Sequence, residues 1–487
     1  LKIWSDKLVL VLGLGETGLS MLRYLSAQGA RLRAADSRSA PAGLSEAAKH
    51  VAAQQLFCGA FQDSIFDDID LIAISPGVPL ADPVVARAVA RGIPVVGDIE
   101  LFAQRLAACD LRLRPKVIAI TGSNGKTTVT SMVAHLCKSA GKDVLAAGNI
   151  SPAVLDMMMR RGAQQPDVWV LELSSFQLET TSTLHADAAT VLNVTEDHLD
   201  RYDGMDDYAA AKARVLIGCG VQVLNHDDGR SMGMARAGIP TITFGLNPPQ
   251  PSLVREGEIR TALENFGIVH EAGDIWLMQG AQRLIRASEL QLSGLHNVAN
   301  ALAALALCRA IGLEMPLLLA GLRSFKGLPH RVEKVAEIAG VTYYDDSKGT
   351  NVGATVAALR GLGKRAVVIL GGEGKGQDFG PLNAAVKSHA RAVVLIGRDA
   401  GLIASALQGC DVNIARAADM ADAVRQASAL AQANDAVLLS PACASFDMFR
   451  NYEHRAQVFI AAVEALILPS ASPWSGGEAV KEGAWPR

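Results

Sequence analysis

Residues 122–128 read Gly-Ser-Asn-Gly-Lys-Thr-Thr, directly after the apolar run Val117–Thr121 and ahead of a helix-like stretch through Ala140. In a strand–loop–helix context this pattern is a phosphate cradle. Glycines let successive backbone N–H groups close around phosphate oxygens, and the helix N-terminus adds positive potential. Gly122, Ser123, Asn124 and Gly125 form the cradle, Lys126 is spaced to reach the β/γ phosphates, and Thr127, followed by Thr128, offers a hydroxyl to Mg2+. Thr121 stands where such loops usually carry their first glycine. A metal at this loop needs a second ligand. Glu172 ends the run Val168–Leu173, and the C-terminal end of a strand is where α/β sheets bind ligands. The plainer alternative is a solvated strand-end glutamate.

A second glycine pattern, Gly13, Gly15 and Gly18, follows Leu8–Leu12, with Asp36 downstream. This is the Rossmann fingerprint, and it makes a nicotinamide dehydrogenase a rival reading. The motif itself specifies only a diphosphate near a helix N-terminus, or a tight turn with no ligand. Ser75, Pro76 and Gly77 after the run Leu71–Ser75 form another ligand-facing turn.

The elements that must position these residues alternate between short apolar runs and Ala-rich helical stretches. Further strand candidates are Ala188–Val194, Ala366–Leu370, Ala392–Ile396 and Ala436–Ser440. The rhythm predicts an α/β chain with parallel sheets covered by helices. Between about Gly267 and Leu290 glycine punctuation predicts a small antiparallel patch. Gly97 and Gly327 mark candidate boundaries, giving domains over 1–97, 98–327 and 328–470. The Ser/Gly/Pro-rich 471–487 is expected to be disordered. A chain of 487 residues, at roughly 150 per domain, accommodates three.

Composition narrows the function classes. Lys+Arg total 46 against 49 Asp+Glu, a formal charge of −3, without the basic excess of a nucleic-acid-binding protein. Half the residues are hydrophobic, which argues against disorder. Seven cysteines with no C-x-x-C point away from a disulfide framework and towards a reducing, cytoplasmic compartment. No apolar run is long enough to span a membrane.

The motifs in order carry a resemblance. SPGV at 75–78, GDIELF at 97–102, ITGSNGKTT at 120–128, ELSSFQLE at 172–179, LNVTEDHLDRY at 192–202, HNVANALAA at 296–304, GLPHR at 327–331, DDSKGTN at 345–351, LGGEGKGQDF at 370–379 and LLSPACASFDMF at 438–449 resemble the Mur ligases of peptidoglycan synthesis. They are most similar to the D-glutamate-adding members. The resemblance implies three domains: a Rossmann-like N-terminal domain for a UDP substrate, a central P-loop domain for ATP, and a Rossmann-like C-terminal domain for the amino acid. It implies ATP-dependent joining of D-glutamate to UDP-N-acetylmuramoyl-L-alanine through an acyl phosphate, by a cytoplasmic monomer without nucleic acid or membrane insertion.

The same resemblance distributes roles. Gly15, Thr17, Asp36, Ser37, Arg38 and Ser75–Val78 surround the UDP part, and Asn149 faces the alanyl carboxylate. Thr127 and Glu172 hold one Mg2+; His198 and Lys212 hold a second. A lysine ammonium cannot bind a cation, so Lys212 serves as a carbamate formed with CO2. Without the resemblance Lys212 reads as a solvated helix lysine, and His198 as a loop histidine or a base for the amine. Asn297 and Asn300 share a helix face and the resemblance puts both on adenine; capping by Asn297 is the alternative. Arg331, Asp346 and Lys348 serve ATP. Thr350, Lys375, Ser445, Phe446 and Tyr452 serve D-glutamate, with Lys375 as the charge partner. Domain closure about Gly97 and Gly327 is expected to assemble the site. A sibling ligase for another amino acid, and an ATP-switched binding module, remain as alternatives at this point.

Overall fold

The computed structural model describes residues 4–108, 114–249, 265–292 and 294–467; the expected tail over 471–487 lies outside them. The first sheet comprises β1 (Leu8–Leu12), β2 (Arg31–Asp36), β3 (Leu56–Cys58), β4 (Leu71–Ile74) and β5 (Val95–Val96). All pair in parallel, in the order β3-β2-β1-β4-β5. The order reverses at β1, so the crevice beyond the carboxyl ends of β1 and β4 receives the glycine motif and Ser75.

The second sheet comprises β6 (Lys116–Thr121), β7 (Val144–Gly148), β8 (Val168–Glu172), β9 (Ala188–Val191), β10 (Val221–Asn225) and β11 (Thr241–Phe244), all parallel, in the order β11-β10-β9-β6-β8-β7. β6 is flanked by β9 and β8, so the phosphate loop and Glu172 leave the sheet side by side. β9 stops at Val191, short of the expected Val194. Residues 192–195 leave the ladder because their polar groups bond the phosphate loop instead. The antiparallel patch is β12 (Phe266–Glu271), β13 (Asp274–Gln279) and β14 (Gln282–Arg286).

The third sheet comprises β15 (Glu333–Ile338), β16 (Val341–Asp345), β17 (Ala366–Gly371), β18 (Ala390–Ile396), β19 (Asn413–Arg416) and β20 (Ala436–Leu439), in the order β15-β16-β20-β17-β18-β19. Only the β15–β16 pair is antiparallel. Its fully buried strands, such as AVVILG in β17, are the near-continuous apolar runs of a sheet covered on both faces.

Contacts divide the chain into two compact units: residues 1–329 with 351–363 and 375–381, and residues 330–350, 364–374 and 382–487. The first two sheets fall in one unit because they share an apolar cluster. Met21 and Leu25 from the helix Glu16–Ala27, Ile99 and Phe102 from the helix Asp98–Ala107, and Trp169 from β8 all belong to it. Phe102 meets Trp169 edge to face at 5.1 Å. Each such side chain, fully buried, contributes about 1.5–3 kcal/mol. A bidentate pair adds direction: Arg23 Nε and Nη2 donate to Asp156 Oδ1 and Oδ2 at 2.9 and 2.6 Å.

Candidate active site

The helix Lys126–Ser139 starts directly from the loop after β6, with Gly125 as its N-cap at φ +85°. A Cβ at Gly125 would lie 2.7 Å from Asn300 Oδ1, so glycine is needed for both conformation and close approach. The loop is laced to the segment after β9. Asn193 Oδ1 accepts the Asn124 N–H at 2.8 Å, and Asn193 Nδ2 donates to Asn124 O at 3.1 Å. Ser123 Oγ donates to Thr195 O at 2.8 Å and accepts the Thr195 N–H at 3.0 Å. Asn124 Nδ2 donates to Thr195 Oγ1 at 3.0 Å. These bonds fix the loop's shape without help from a ligand.

Two lysines converge on one carbonyl. Lys126 Nζ donates to Gly122 O at 2.8 Å and to Ser123 O at 2.9 Å; Lys212 Nζ donates to Gly122 O at 2.9 Å. Lys212 lies in the helix Met205–Ala213 and is 1% exposed. Burial first, and the Lys126 charge second, hold it well below the ordinary lysine range. The Tyr208 ring lies 4.3 Å from its Nζ, and the Tyr208 hydroxyl reaches Ser123. A shift in this direction favours the uncharged amine, the nucleophilic form that reaction with CO2 requires.

Glu172 is 2% exposed. Its Oε1 accepts from Asn149 Nδ2 at 3.0 Å, while its Oε2 is buried without a hydrogen bond. An orphaned buried carboxylate oxygen at the end of β8, level with Ile120 near the end of β6, fits a divalent cation. His198 is held at φ +56° with its ring edge-on to Phe176 at 4.9 Å. Burial pushes its imidazole below the ordinary histidine range against the pull of Asp197, which favours the neutral ligand form.

Asn297 and Asn300 share one face of the helix Leu295–Ala310, Asn300 Nδ2 donating to Asn297 Oδ1 at 3.3 Å. Gly294 is the N-cap, without a side-chain cap bond, so the capping alternative for Asn297 is corrected. Lys375 also belongs to the first unit, its Nζ 3.7 Å from Asp197 Oδ1.

At the first sheet the three glycines do different work. A Cβ on Gly18 would sit 1.7 Å from Gly13 O, whereas nothing lies within 4 Å of one on Gly15. Gly15 therefore leaves open space at the N-terminus of the helix Glu16–Ala27, with Thr17 in its first turn. Ser75 Oγ donates to Gly13 O at 3.1 Å, next to Pro76 and Gly77. Asp36, ending β2, accepts from Leu14 N at 2.7 Å and from Arg38 N, Nε and Nη2 at 2.9, 2.8 and 2.7 Å. The Arg38 guanidinium holds its carboxyl at about 2. Ser37 lies between them and is exposed.

The second unit gathers its own set. Asp346 accepts from Ser440 Oγ at 2.6 Å, and burial pushes its carboxyl up to about 7. Arg331 is among the charges acting on it. Lys348 Nζ lies 3.8 Å over the Tyr452 ring, so two residues assigned to different substrates stand together. Thr350 N donates to Lys348 O at 2.8 Å. Ser445 is buried and Phe446 is 70% exposed. Arg455, 0% exposed, donates to Ser347 Oγ and O at 3.0 and 2.7 Å and to Cys443 O at 3.1 Å, joining the loops that carry Lys348 and Ser445.

Residues 120–308 match the Mur ligase middle domain, 7–97 the Mur ligase MurD-like N-terminal domain, and 330–443 the Mur ligase glutamate ligase domain. The chain belongs to the Mur ligase family. A UDP-N-acetylmuramoylalanine–D-glutamate ligase of Nitrosospira multiformis is 55% identical over 98% of this chain and 99% of its own. One from Methylobacillus flagellatus is 55% identical over 95% and 98%. Among solved Mur ligase structures, the MurF ligase of Thermotoga maritima in complex with ADP superposes with a TM-score of 0.57 at 16% identity, covering 96% of this chain and 97% of that one. The UDP-N-acetylmuramate–alanine ligase of the same organism gives 0.56 at 18%, over 94% and 99%. The three-domain α/β fold read from the Mur motifs is therefore borne out, and a dehydrogenase is not. Sequence reasoning overlooked Asn193, Thr195, Asp197, Tyr208 and Arg455. The first three stand inside LNVTEDHLDRY, where polar residues break an apolar run.

Proposed function

We propose that this Mur ligase is an ATP-dependent enzyme that adds D-glutamate to UDP-N-acetylmuramoyl-L-alanine in peptidoglycan precursor synthesis. The observation that carries the amino-acid assignment is the 55% identity, over nearly the whole of both chains, to a D-glutamate ligase. The reaction begins when an oxygen of the alanyl carboxylate attacks the γ-phosphorus of ATP and ADP departs, leaving an acyl phosphate. The D-glutamate nitrogen then attacks the acyl carbon. The tetrahedral intermediate expels phosphate, and the nitrogen gives up its proton.

A carboxylate needs no base to attack phosphorus; the barrier is its repulsion from the triphosphate. Lys126 leaves the loop carbonyls for the phosphates and offsets that repulsion. Thr127 with Glu172, and His198 with carbamylated Lys212, would each hold a Mg2+, which when bound would supply further positive charge where negative charge accumulates. Asn149 orients the alanyl carboxylate, and Asn297 and Asn300 hold the adenine. Gly15, Thr17, Asp36–Arg38 and Ser75–Gly77 hold the UDP part. Arg331, Asp346 and Lys348 serve the nucleotide, and Thr350, Lys375, Ser445, Phe446 and Tyr452 serve D-glutamate. Domains over 1–97, 98–327 and 328–470 carry these tasks.

The enzyme acts as a cytoplasmic monomer on this reading. Among the described residues six cysteines are free, which supports a reducing compartment, and no helix is long and apolar enough to cross a membrane. Mg2+-dependent phosphate release from ATP with UDP-N-acetylmuramoyl-L-alanine tests the assignment, comparing D-glutamate with L-glutamate, L-lysine and meso-diaminopimelate. Amide product with D-glutamate alone is expected. Product with another amino acid overturns the specificity, and no product with any overturns the ligase reading.

A further inference from the structure

D-Glutamate reaches a ligase as a zwitterion with an extra carboxylate. The residues assigned to it above offer hydroxyls, aromatic rings and the Lys375 cation, all suited to its carboxylates. None of them is an anion for its ammonium group. Within the first unit one carboxylate stands beside Lys375: Asp197, whose side chain is 13% exposed. Asp197 Oδ1 is 3.7 Å from Lys375 Nζ and Oδ2 is 3.7 Å from His198 Nε2. Asn351 Nδ2 donates to Oδ2 at 3.4 Å, and the His198 N–H donates to Oδ1 at 3.1 Å. Lys126 also acts on it through space. Glu172, by contrast, is turned to Asn149, and the neighbouring Glu196 is exposed.

An anion and a cation 3.7 Å apart match the head group of an α-amino acid, whose ammonium and α-carboxylate sit on one carbon. Both neighbours in this arrangement, His198 and Lys375, are non-glycine residues held at left-handed φ of +56° and +52°. Such conformations gather at ligand-binding positions, where surrounding bonds over-determine them. Resting on the ligase reading above, we propose that Asp197 is a substrate-binding residue that accepts the D-glutamate ammonium, while Lys375 takes the α-carboxylate. On binding, the Asp197–Lys375 pair opens and each partner exchanges a protein charge for a substrate charge. The incoming nitrogen is thereby held beside His198 and the phosphate loop, where the acyl phosphate forms.

The test compares two nucleophiles on one preparation of the full chain with ATP, Mg2+ and UDP-N-acetylmuramoyl-L-alanine. D-Glutamate arrives as an ammonium; hydroxylamine is uncharged at neutral pH and traps the acyl phosphate as a hydroxamate, its nitrogen displacing phosphate and losing a proton. Asp197→Asn is expected to lower kcat/KM for D-glutamate by about ten- to a hundredfold more than hydroxamate formation, the range for one hydrogen bond between charged groups. Most of that loss should appear in the KM for D-glutamate, and Asp197→Glu should recover part of it. Because the result is a ratio of rates, it is independent of the fraction of variant that folds. Equal losses with both nucleophiles would place Asp197 with the metals or the nucleotide and overturn the inference while leaving the ligase reading intact. A wild-type chain that forms hydroxamate but no D-glutamate product would instead overturn the D-glutamate reading, and the inference with it.

Discussion

Replacing Asp98 by asparagine should stabilise this protein at neutral pH and leave it unchanged in acid. Asp98 is 0% exposed, at the start of the helix Asp98–Ala107, and both its oxygens face Gln177 Nε2 at 3.3 and 3.2 Å. Burial pushes its carboxyl from an ordinary 3.8 up to about 6, against the smaller pull of Gln177. At about 1.4 kcal/mol per pH unit, ionised Asp98 costs the folded state about 3 kcal/mol above that value. The sign follows from proton counting. Between about pH 4 and pH 6 the folded chain binds more protons at this site than the unfolded chain, so its stability falls as pH rises through the window. Asparagine keeps an acceptor for Gln177 and has no charge to desolvate. It gives up a favourable helix N-terminal charge of about 0.5 kcal/mol, too small to reverse the outcome. With about 2 cal/mol/K of unfolding entropy per residue, the gain corresponds to about 4 °C for a unit of this size. Thermal unfolding of both chains from about pH 4 to about pH 8 measures it. A difference independent of pH, or an asparagine variant less stable at about pH 8, would refute the reasoning.

Three more outcomes follow from the site. Lys212→Ala should abolish ligation by removing the amine that forms the carbamate, and added acetate or formate should restore part of it; unchanged turnover would remove Lys212 from the reaction. Asn193→Ala should leave the two Asn124 backbone groups unpartnered and weaken ADP binding about tenfold by calorimetry, as the loss of one or two such bonds implies. Gly18→Ala places a Cβ 1.7 Å from Gly13 O; loss of UDP-substrate binding, or of soluble protein, is expected, and a variant with wild-type KM for that substrate would contradict the packing described.

Much of the fold was legible because its signals are local. β6, its loop and its helix are spelled out by apolar strand, glycines and lysine in succession, and the glycine-punctuated stretch was rightly read as antiparallel. The error at β9 has a physical cause. Apolar residues Leu192 and Val194 continue the strand pattern, but Asn193 between them spends its amide on the phosphate loop, so the ladder ends at Val191. Asp197 and Arg455 were hidden for another reason. A carboxylate beside a histidine in a loop, or an arginine on the last helix, looks solvated until distant segments bring Lys375 to one and Ser347 to the other. Without the resemblance Lys212 looks equally ordinary; the structure shows it buried against a carbonyl that Lys126 already occupies.

The shared core of the first two sheets bears on measurement of length. The turn at Gly15 and the carboxylate of Glu172 are carried by frames that share one apolar cluster besides those of their own, so the span between them is set when the chain folds. On the proposed reading it would work as a fixed gauge: an acceptor whose carboxylate sits too near or too far from its nucleotide would be refused by geometry before any charge is consulted. A cut in the linker near Gly97 should not release the first frame, since Arg23 against Asp156 and the packing of Met21 and Leu25 into the cluster that includes Phe102 and Trp169 hold it from the far side of the break. The nicked protein should elute as one particle and keep the same gauge.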